Sequence, residues 1–215
     1  MTRAEILAIA KPILFNTEMT RAVMDGRKTQ TRRVIKPQPS RDREGMWHWK
    51  DCQWTDGGIG FPASGIDDYA PYKAGDYLYV RETWGCYTHD WQDALYFVYK
   101  SDYPDGAEGY WFEPEHINWC DLPKWRPSIH MPKAAARTFL QVTGVKAERL
   151  RDICKDWSNF DNEGIIAEHG FRSEMHQQFE HLWNSTIKKS DLHLYRWDAS
   201  PWVWVYEFKK VEAEP

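Results

Sequence analysis

The sequence lacks the residue spacings on which most protein metal sites and disulfide frameworks depend. No C-x-x-C pair occurs among the cysteines, which stand at Cys52, Cys86, Cys120 and Cys154. His176 and His181 are five residues apart, off the i, i+4 spacing that aims two helical histidines at one metal ion. We therefore expect free thiols, no metal site and no cofactor.

The sequence also lacks a long apolar run and a large excess of positive charge. Glu5 and Lys11 interrupt the short apolar patch near the first residue, so we expect neither a signal peptide nor a membrane anchor, and a cytoplasmic protein. With 28 Lys and Arg against 32 Asp and Glu, the net charge is -4 and the pI is about 6.1. This balance argues against binding duplex DNA over the whole surface, so any nucleic-acid contact must be local.

Aromatic residues, in contrast, are abundant, with 13 Trp and 11 Tyr. Many lie beside Gly, Asp or His in stretches without the period of a helix or strand. Such stretches predict either surfaces on which bases stack or loops that pack on their own rings.

The most unusual stretch is the basic motif at residues 26–33, which reads GRKTQTRR. It contains four cations, two hydroxyls and a glycine, with no apolar side chain that could anchor it in a core. A solvated basic hairpin is one interpretation, since charged runs often lie on wet surface. A strand would put Lys28 and Thr31 on opposite faces, so a site that they share requires a bend between them.

The patterns of the first half predict strands, one helix and an insertion. Residues 11–16 form a strand that ends at a good helix N-cap, Asn16, and the helix 17–25 ends at Gly26. In the alternating segment 77–82, Glu82 lies on the interior row, where a carboxylate needs an ion-pair partner or a pocket.

The second half is predicted to continue the alternation of strands and helices. We expect strands at 94–100, at 139–149 with a break at Gly144, and at 201–208, together with short helices at 151–168 and a core-facing helix at 173–187. This order predicts an α+β fold around a small β-barrel. We expect a single domain over 1–215, with insertions at 38–72 and 101–125.

Five blocks of sequence together resemble the ASCH-domain family, in particular its larger phage and prophage-borne members. In chain order they are GRKTQTRR, KAGDYLYVRETW, WRPSIHMP, NEGI after ERLRDI, and SPWVWVYEF. The resemblance covers most of the chain from Lys11 to Val211 and implies a PUA-like β-barrel flanked by helices, a fold related to RNA-binding modules.

The resemblance also implies an activity, because smaller bacterial ASCH proteins are amidohydrolases that remove the acyl group from N4-acetylcytidine. They use a Lys and a Thr of the basic motif and a Glu of the helical segment, which fall here on Lys28, Thr31 and Glu163. Glu168 is the alternative for the Glu. Metal-free amide hydrolysis needs a nucleophile, a base and oxyanion stabilisation, so we expect Thr31 to attack once Lys28 is neutral and Glu163 to relay the proton.

A cytosine nucleoside also needs groups that hold its ring and read its edge. Trp84 and His130 are the candidates for stacking on the ring, although a lone histidine is more often a core or loop residue. Arg81 or Glu82 is expected to read the edge of the base, and Arg33 of the basic motif is expected to contact the substrate.

Two other functions fit the same residues. One is a non-catalytic PUA-like module that binds RNA, another single-stranded nucleic acid or a modified base. The other is a ribonuclease, since some ASCH proteins are reported to cut RNA. The acidic net charge weakens binding to long polymers and favours a nucleoside as the partner.

Overall fold

A computed structural model describes residues 1–55, 60–61, 66–89, 92–103, 124–167, 169 and 171–214. The chain divides into two compact units, each built from separate stretches of sequence. The first unit comprises Met1–Gly26, Tyr77–Gln141 and Lys210–Pro215, and the second comprises Arg27–Asp76 and Val142–Lys209. The single domain expected over 1–215 stays a prediction.

Helices and strands alternate along the chain. The helices are α1 (Arg3–Ile9), α2 (Thr17–Met24), α3 (Ser158–Asn162), α4 (Arg172–Thr186) and α5 (Leu192–Tyr195). The strands are β1 (Lys11–Leu14), β2 (Gln30–Val34), β3 (Ser40–Arg41), β4 (Trp47–Trp49), β5 (Cys52–Trp54), β6 (Gly60–Phe61), β7 (Tyr77–Arg81), β8 (Trp84–His89), β9 (Gln92–Tyr99), β10 (Phe139–Arg149) and β11 (Trp202–Val211). The mixed α+β class expected from the sequence is confirmed.

The first two helices begin where side chains cap their free backbone N–H groups. A capping box formed by Thr2 and Glu5 starts α1, which the sequence analysis did not predict. The predicted cap of α2 is confirmed, because the Asn16 side chain accepts a hydrogen bond from the Met19 N–H at 2.8 Å. Gly26 follows α2 with a φ of 75°, a conformation that glycine adopts without strain.

In the first unit, β7 lies between β1 and the beginning of β10. It runs parallel to β1 and antiparallel to residues 139–141 of β10. The hairpin of β8 and β9 belongs to the same unit. The core includes Ile6, Ala10, Tyr79, Trp84, Met131, Ala135, Ala136 and Phe139.

In the second unit, β11 lies between β2 and the remainder of β10, and it pairs antiparallel with β2. Apolar side chains from α3, α4 and β11 pack into one core, which includes Leu150, Ile153, Phe160, Phe179, Trp183, Trp197, Val203 and Val205. The core-facing helix expected at 173–187 is confirmed as α4, whose apolar stripe of Met175, Phe179 and Trp183 is buried. Within the predicted insertion 38–72, β3 to β6 form a separate four-stranded sheet.

The predicted break at Gly144 is wrong, because β10 runs without interruption from Phe139 to Arg149. A Cβ added to Gly144 would lie 2.8 Å from Oε2 of Glu207. A side chain at this position would displace the Glu207 carboxylate, so the glycine leaves room beside the strand for that side chain.

Some expectations reach beyond the described residues. Most of the predicted insertion 101–125 lies there, as does Cys120, whereas Cys52, Cys86 and Cys154 are thiols without a disulfide. Among the residues that the structure describes, no sheet closes into a barrel, and the PUA-like fold stays a prediction. No helix in this described part of the chain is long and apolar enough to cross a membrane.

Candidate functional site

The basic motif leads into β2 and is held by two other segments of the second unit. The backbone of Lys28 forms an isolated antiparallel bridge with that of Glu163, directly after α3. The next residue, Thr29, donates its N–H to the carbonyl of Asn162 at 2.8 Å and accepts from the Phe208 N–H at 2.9 Å. Backbone hydrogen bonds therefore hold the motif in place where the chain enters β2. The motif is not the solvated hairpin that composition alone allows.

The side chain of Lys28 is fully buried against Glu163. Its relative exposure is 0%, and that of the Glu163 side chain is 3%. The ammonium Nζ donates to the backbone carbonyl of Glu163 at 3.0 Å and forms a short contact with Oε2 of the Glu163 carboxylate. The structure thus brings together two of the three residues that the sequence predicts as catalytic, although 135 positions separate them.

The second carboxylate oxygen of Glu163 is bound by Arg32, whose side chain is also 0% exposed. Arg32 Nη1 lies 2.9 Å from Glu163 Oε1. On its other side, Nε and Nη2 of Arg32 donate to Oε1 of Glu148 at 3.0 and 2.8 Å. Lys146 Nζ then lies 3.1 Å from Glu148 Oε2. Cations and anions alternate along this chain, which we call the Lys28 network: Lys28, Glu163, Arg32, Glu148 and Lys146.

Burial favours the neutral amine of Lys28. Desolvation lowers the pKa of Lys28 from its ordinary value, whereas the charge and hydrogen bond of Glu163 oppose that change. The positive charges of Arg33 and Arg32 lower this pKa further. The pKa of half-buried Arg33 is also lowered by desolvation, while Tyr72 and Glu163 oppose the shift. Lys28 therefore loses its proton at a lower pH than a solvated lysine, which is what a general base requires.

Thr31 is buried, with 1% exposure, and lies opposite Tyr206 across the β2 and β11 pair. Thr31 and Arg32 are neighbours within β2, so their side chains point to opposite faces of the strand. Lys28 precedes β2 and pairs outside any named strand. Between them, Thr29 is held by backbone hydrogen bonds to Asn162 and Phe208, and the site that Lys28 and Thr31 are expected to share stays a prediction.

The other predicted binding residues belong to the first unit. A guanidinium nitrogen of Arg81 donates to the Ile129 carbonyl, and His130 is exposed on a 3₁₀ turn. Trp84 is a core residue, and the Arg126 guanidinium lies 5.2 Å from the centre of its ring. The roles of Arg81, Trp84 and His130 in binding a substrate stay predictions.

Glu82 shows which of its two sequence interpretations the structure favours. It is 1% exposed, and Arg137 Nε lies 3.0 Å from its Oε1. The Ser101 hydroxyl donates to the other carboxylate oxygen. This carboxylate has the ion-pair partner that its interior position requires, as the structural alternative predicted, and its reading of a base stays a prediction.

Sequence reasoning missed Arg32 and Glu148 as members of the site. Arg32 was one cation among four, and Glu148 lies near the end of a strand with no motif around it. The available signal was the alternation in β2, which sends Arg32 to the face of Val34, a residue that packs on the core. An arginine on that face needs a buried carboxylate. Glu168, the alternative to Glu163, lies outside the described residues.

Within the described ranges, no three His, Cys, Asp or Glu side chains are grouped as the ligands of a metal ion would be. The metal-independent mechanism stays a prediction.

Comparison of the chain with family models, curated proteins and solved structures finds no match in any of the three. The resemblance to the ASCH family therefore stays a prediction based on the five blocks of sequence.

Proposed function

We propose that this protein is a metal-independent amidohydrolase that removes the acyl group from N4-acylated cytosine nucleosides such as N4-acetylcytidine. One observation carries the proposal: the buried contact between Lys28 and Glu163, two residues from distant motifs that the family resemblance selects. The PUA-like fold is part of the same proposal. A buried lysine with a lowered pKa, held by a carboxylate, is more typical of a reaction site than of a solvated basic surface.

In the proposed reaction, the Thr31 hydroxyl oxygen attacks the acyl carbonyl carbon while its proton passes to the neutral amine of Lys28. The bond between the acyl carbon and N4 then breaks. The proton held by Lys28 returns to the leaving N4 amine through the Glu163 carboxylate, which contacts Lys28. Water hydrolyses the threonine ester, which releases the carboxylic acid and restores the Thr31 hydroxyl.

The geometry sets one condition on this mechanism. Thr31 Oγ1 and Lys28 Nζ must both reach the acyl group. The backbone between them is held, because Thr29 donates its N–H to Asn162 and its carbonyl accepts from Phe208, so both side chains must reach the acyl group from the conformation that these bonds fix. Arg33 is the nearby cation that we assign to substrate binding.

The test is turnover of N4-acetylcytidine, measured by release of cytidine, for wild type, Thr31→Ala, Thr31→Ser and Glu163→Gln. We expect Thr31→Ala to remove turnover, Thr31→Ser to keep part of it because the hydroxyl survives, and Glu163→Gln to slow it by roughly a hundred-fold or more. Thr143→Ala is the matched control, since Thr143 is an exposed threonine of the same unit. Full activity in Thr31→Ala would show that Thr31 is not the nucleophile.

A second candidate is a non-catalytic module that binds RNA or a modified base. Two observations favour it: strand alternation sends Thr31 to the face opposite Arg32, and each carboxylate in the Lys28 network already has a cationic partner. Binding of a fluorescent single-stranded RNA over a range of salt concentrations separates the candidates. Tight binding with a steep salt dependence, together with no hydrolysis of any N4-acylated nucleoside, would favour the module.

A further inference from the structure

The proposed reaction creates an electrostatic problem at Glu163. Its carboxylate is buried, and Lys28 is one of its two cationic partners. When Lys28 acts as a base it is neutral before the proton arrives, so its contribution to balancing Glu163 disappears. A buried carboxylate without a cation is strongly disfavoured and takes up a proton itself. Glu163 would then be unable to relay a proton as an ionised group.

Arg32 is placed to prevent this outcome. Its Nη1 binds the carboxylate oxygen that Lys28 does not contact, at 2.9 Å. A guanidinium keeps its charge when a buried lysine becomes neutral, so it balances Glu163 whatever the protonation state of Lys28. Its own direction is fixed by two hydrogen bonds to Oε1 of Glu148 on β10.

We propose that Arg32 is a positioning residue that holds the Glu163 carboxylate in place and keeps it ionised while Lys28 changes its protonation state. This inference rests on the proposed function, because it is in the proposed reaction that Lys28 loses the charge that helps to balance Glu163. Glu148 is its outer support, since it holds the opposite edge of the guanidinium. Neither residue belongs to the trio that the family resemblance selects.

Several charged groups surround Lys28 and Arg32. Their charges determine how a substitution should change the pKa of Lys28. Glu163, Arg33 and Arg32 act on Lys28. Arg32 is faced by Glu163 and Glu148 and lies near the Cys154 thiol. Lys146 lies beyond Glu148, and Tyr72 and Tyr206 face Arg33. Neutralising a cation in this set makes the ammonium form of Lys28 easier to keep, and neutralising an anion makes it harder.

Two variants therefore give results of opposite sign. Arg32→Gln removes a positive charge that lowers the pKa of Lys28, so we expect this pKa to rise. Glu148→Gln removes a negative charge and keeps the shape, so we expect a smaller fall. If the two residues only hold the structure together, either change loosens the site and hydrates Lys28, which raises its pKa in both variants.

The experiment is an NMR titration of the Lys28 side chain in protein labelled with ¹³C at the lysine ε carbon, with the signal assigned by its loss in Lys28→Arg. Wild type, Arg32→Gln, Arg32→Lys, Glu148→Gln and the control Arg43→Gln are titrated. Arg43→Gln removes one exposed cation from the same unit and should leave the midpoint unchanged. Arg32→Lys keeps the charge and should restore a midpoint near that of wild type.

Opposite shifts in Arg32→Gln and Glu148→Gln would support the proposal, and shifts of the same sign, or none, would overturn it. If Arg32→Gln does not fold, the direction in Glu148→Gln decides. The titration needs no substrate, so it separates this inference from the proposed function. If wild type hydrolyses N4-acetylcytidine, the acid limb of its pH profile should move with the Lys28 midpoint in each variant.

Discussion

Two buried carboxylates in this molecule are balanced in different ways. In the first unit, Glu82 pairs with Arg137, whose side chain is 28% exposed and also binds Asp102. In the second unit, Glu163 pairs with both Lys28 and Arg32, whose side chains have no exposed surface. Both clusters satisfy their charges, but only the Glu163 cluster contains a buried lysine.

This difference distinguishes a structural ion pair, at Glu82, from a cluster that can take part in proton transfer, at Glu163. An arginine keeps its proton, so Arg137 supplies Glu82 with a fixed positive charge. A buried lysine changes its charge over an accessible range of pH, and here desolvation lowers the pKa of Lys28. Burial of an ion pair alone is weak evidence for function, whereas burial of a titratable group beside a second cation is a stronger indication.

The comparison predicts its largest stability effect in the first unit. Arg137→Met leaves Glu82 buried without a cation, so we expect the free energy of unfolding to fall by about 3–5 kcal/mol. Lys28→Met leaves Glu163 bound to Arg32, and we expect a loss of only about 1–2 kcal/mol. Urea denaturation of both variants, with the exposed Lys155→Met as a control, shows which variant loses more unfolding free energy. A larger loss of unfolding free energy in Lys28→Met than in Arg137→Met would contradict this prediction.

A smaller effect should appear in the pH dependence of stability. The pKa of Lys28 is lower in the folded than in the unfolded state, so between these two values the unfolded state binds more protons. The stability of wild type relative to Lys28→Met should therefore increase with pH in this interval, which ends near the ordinary lysine pKa of 10.5. Urea denaturation of the two proteins at a series of pH values from neutral upwards measures the difference. A decrease with rising pH would contradict the lowered pKa.

The smallest expected effect is at the outer end of the Lys28 network. Lys146 is 47% exposed and pairs with Glu148 at 3.1 Å, so solvent and salt screen the interaction. We expect Lys146→Met to change the free energy of unfolding by less than about 0.5 kcal/mol. Denaturation at low and high salt tests this estimate. A loss of unfolding free energy as large as that of Lys28→Met would show that the exposed Lys146 stabilises the buried part of the network.

Much of the local structure was predictable from short patterns. The Asn16 cap, the glycine that ends α2 and the apolar stripe of α4 each depend on residues within a few positions of one another. Helix α1 was accessible by the same reasoning, because Thr2 and Glu5 have the spacing of a capping box, although Glu5 was interpreted only as an interruption of an apolar patch.

The charged site was predictable only in part. The motifs identified Lys28 and Glu163, whereas the contact of Arg32 with Glu148 joins residues 116 positions apart and depends on the order of strands in the sheet. The predicted break at Gly144 was wrong for the same reason, since the side chain that approaches this glycine, Glu207, lies on another strand. Local patterns determine where strands begin, but not which side chains meet across them.

The central claim is that Lys28 acts as a base and not as a fixed cation. Lys28→Arg keeps the positive charge but cannot give up its proton near neutral pH. The decisive measurement is the rate of N4-acetylcytidine hydrolysis by wild type and by Lys28→Arg, with both proteins shown by thermal melting to be folded. We predict turnover by wild type and a loss of roughly a hundred-fold or more in Lys28→Arg. A wild type inactive on every N4-acylated nucleoside, or a Lys28→Arg variant with the full rate, would contradict the account.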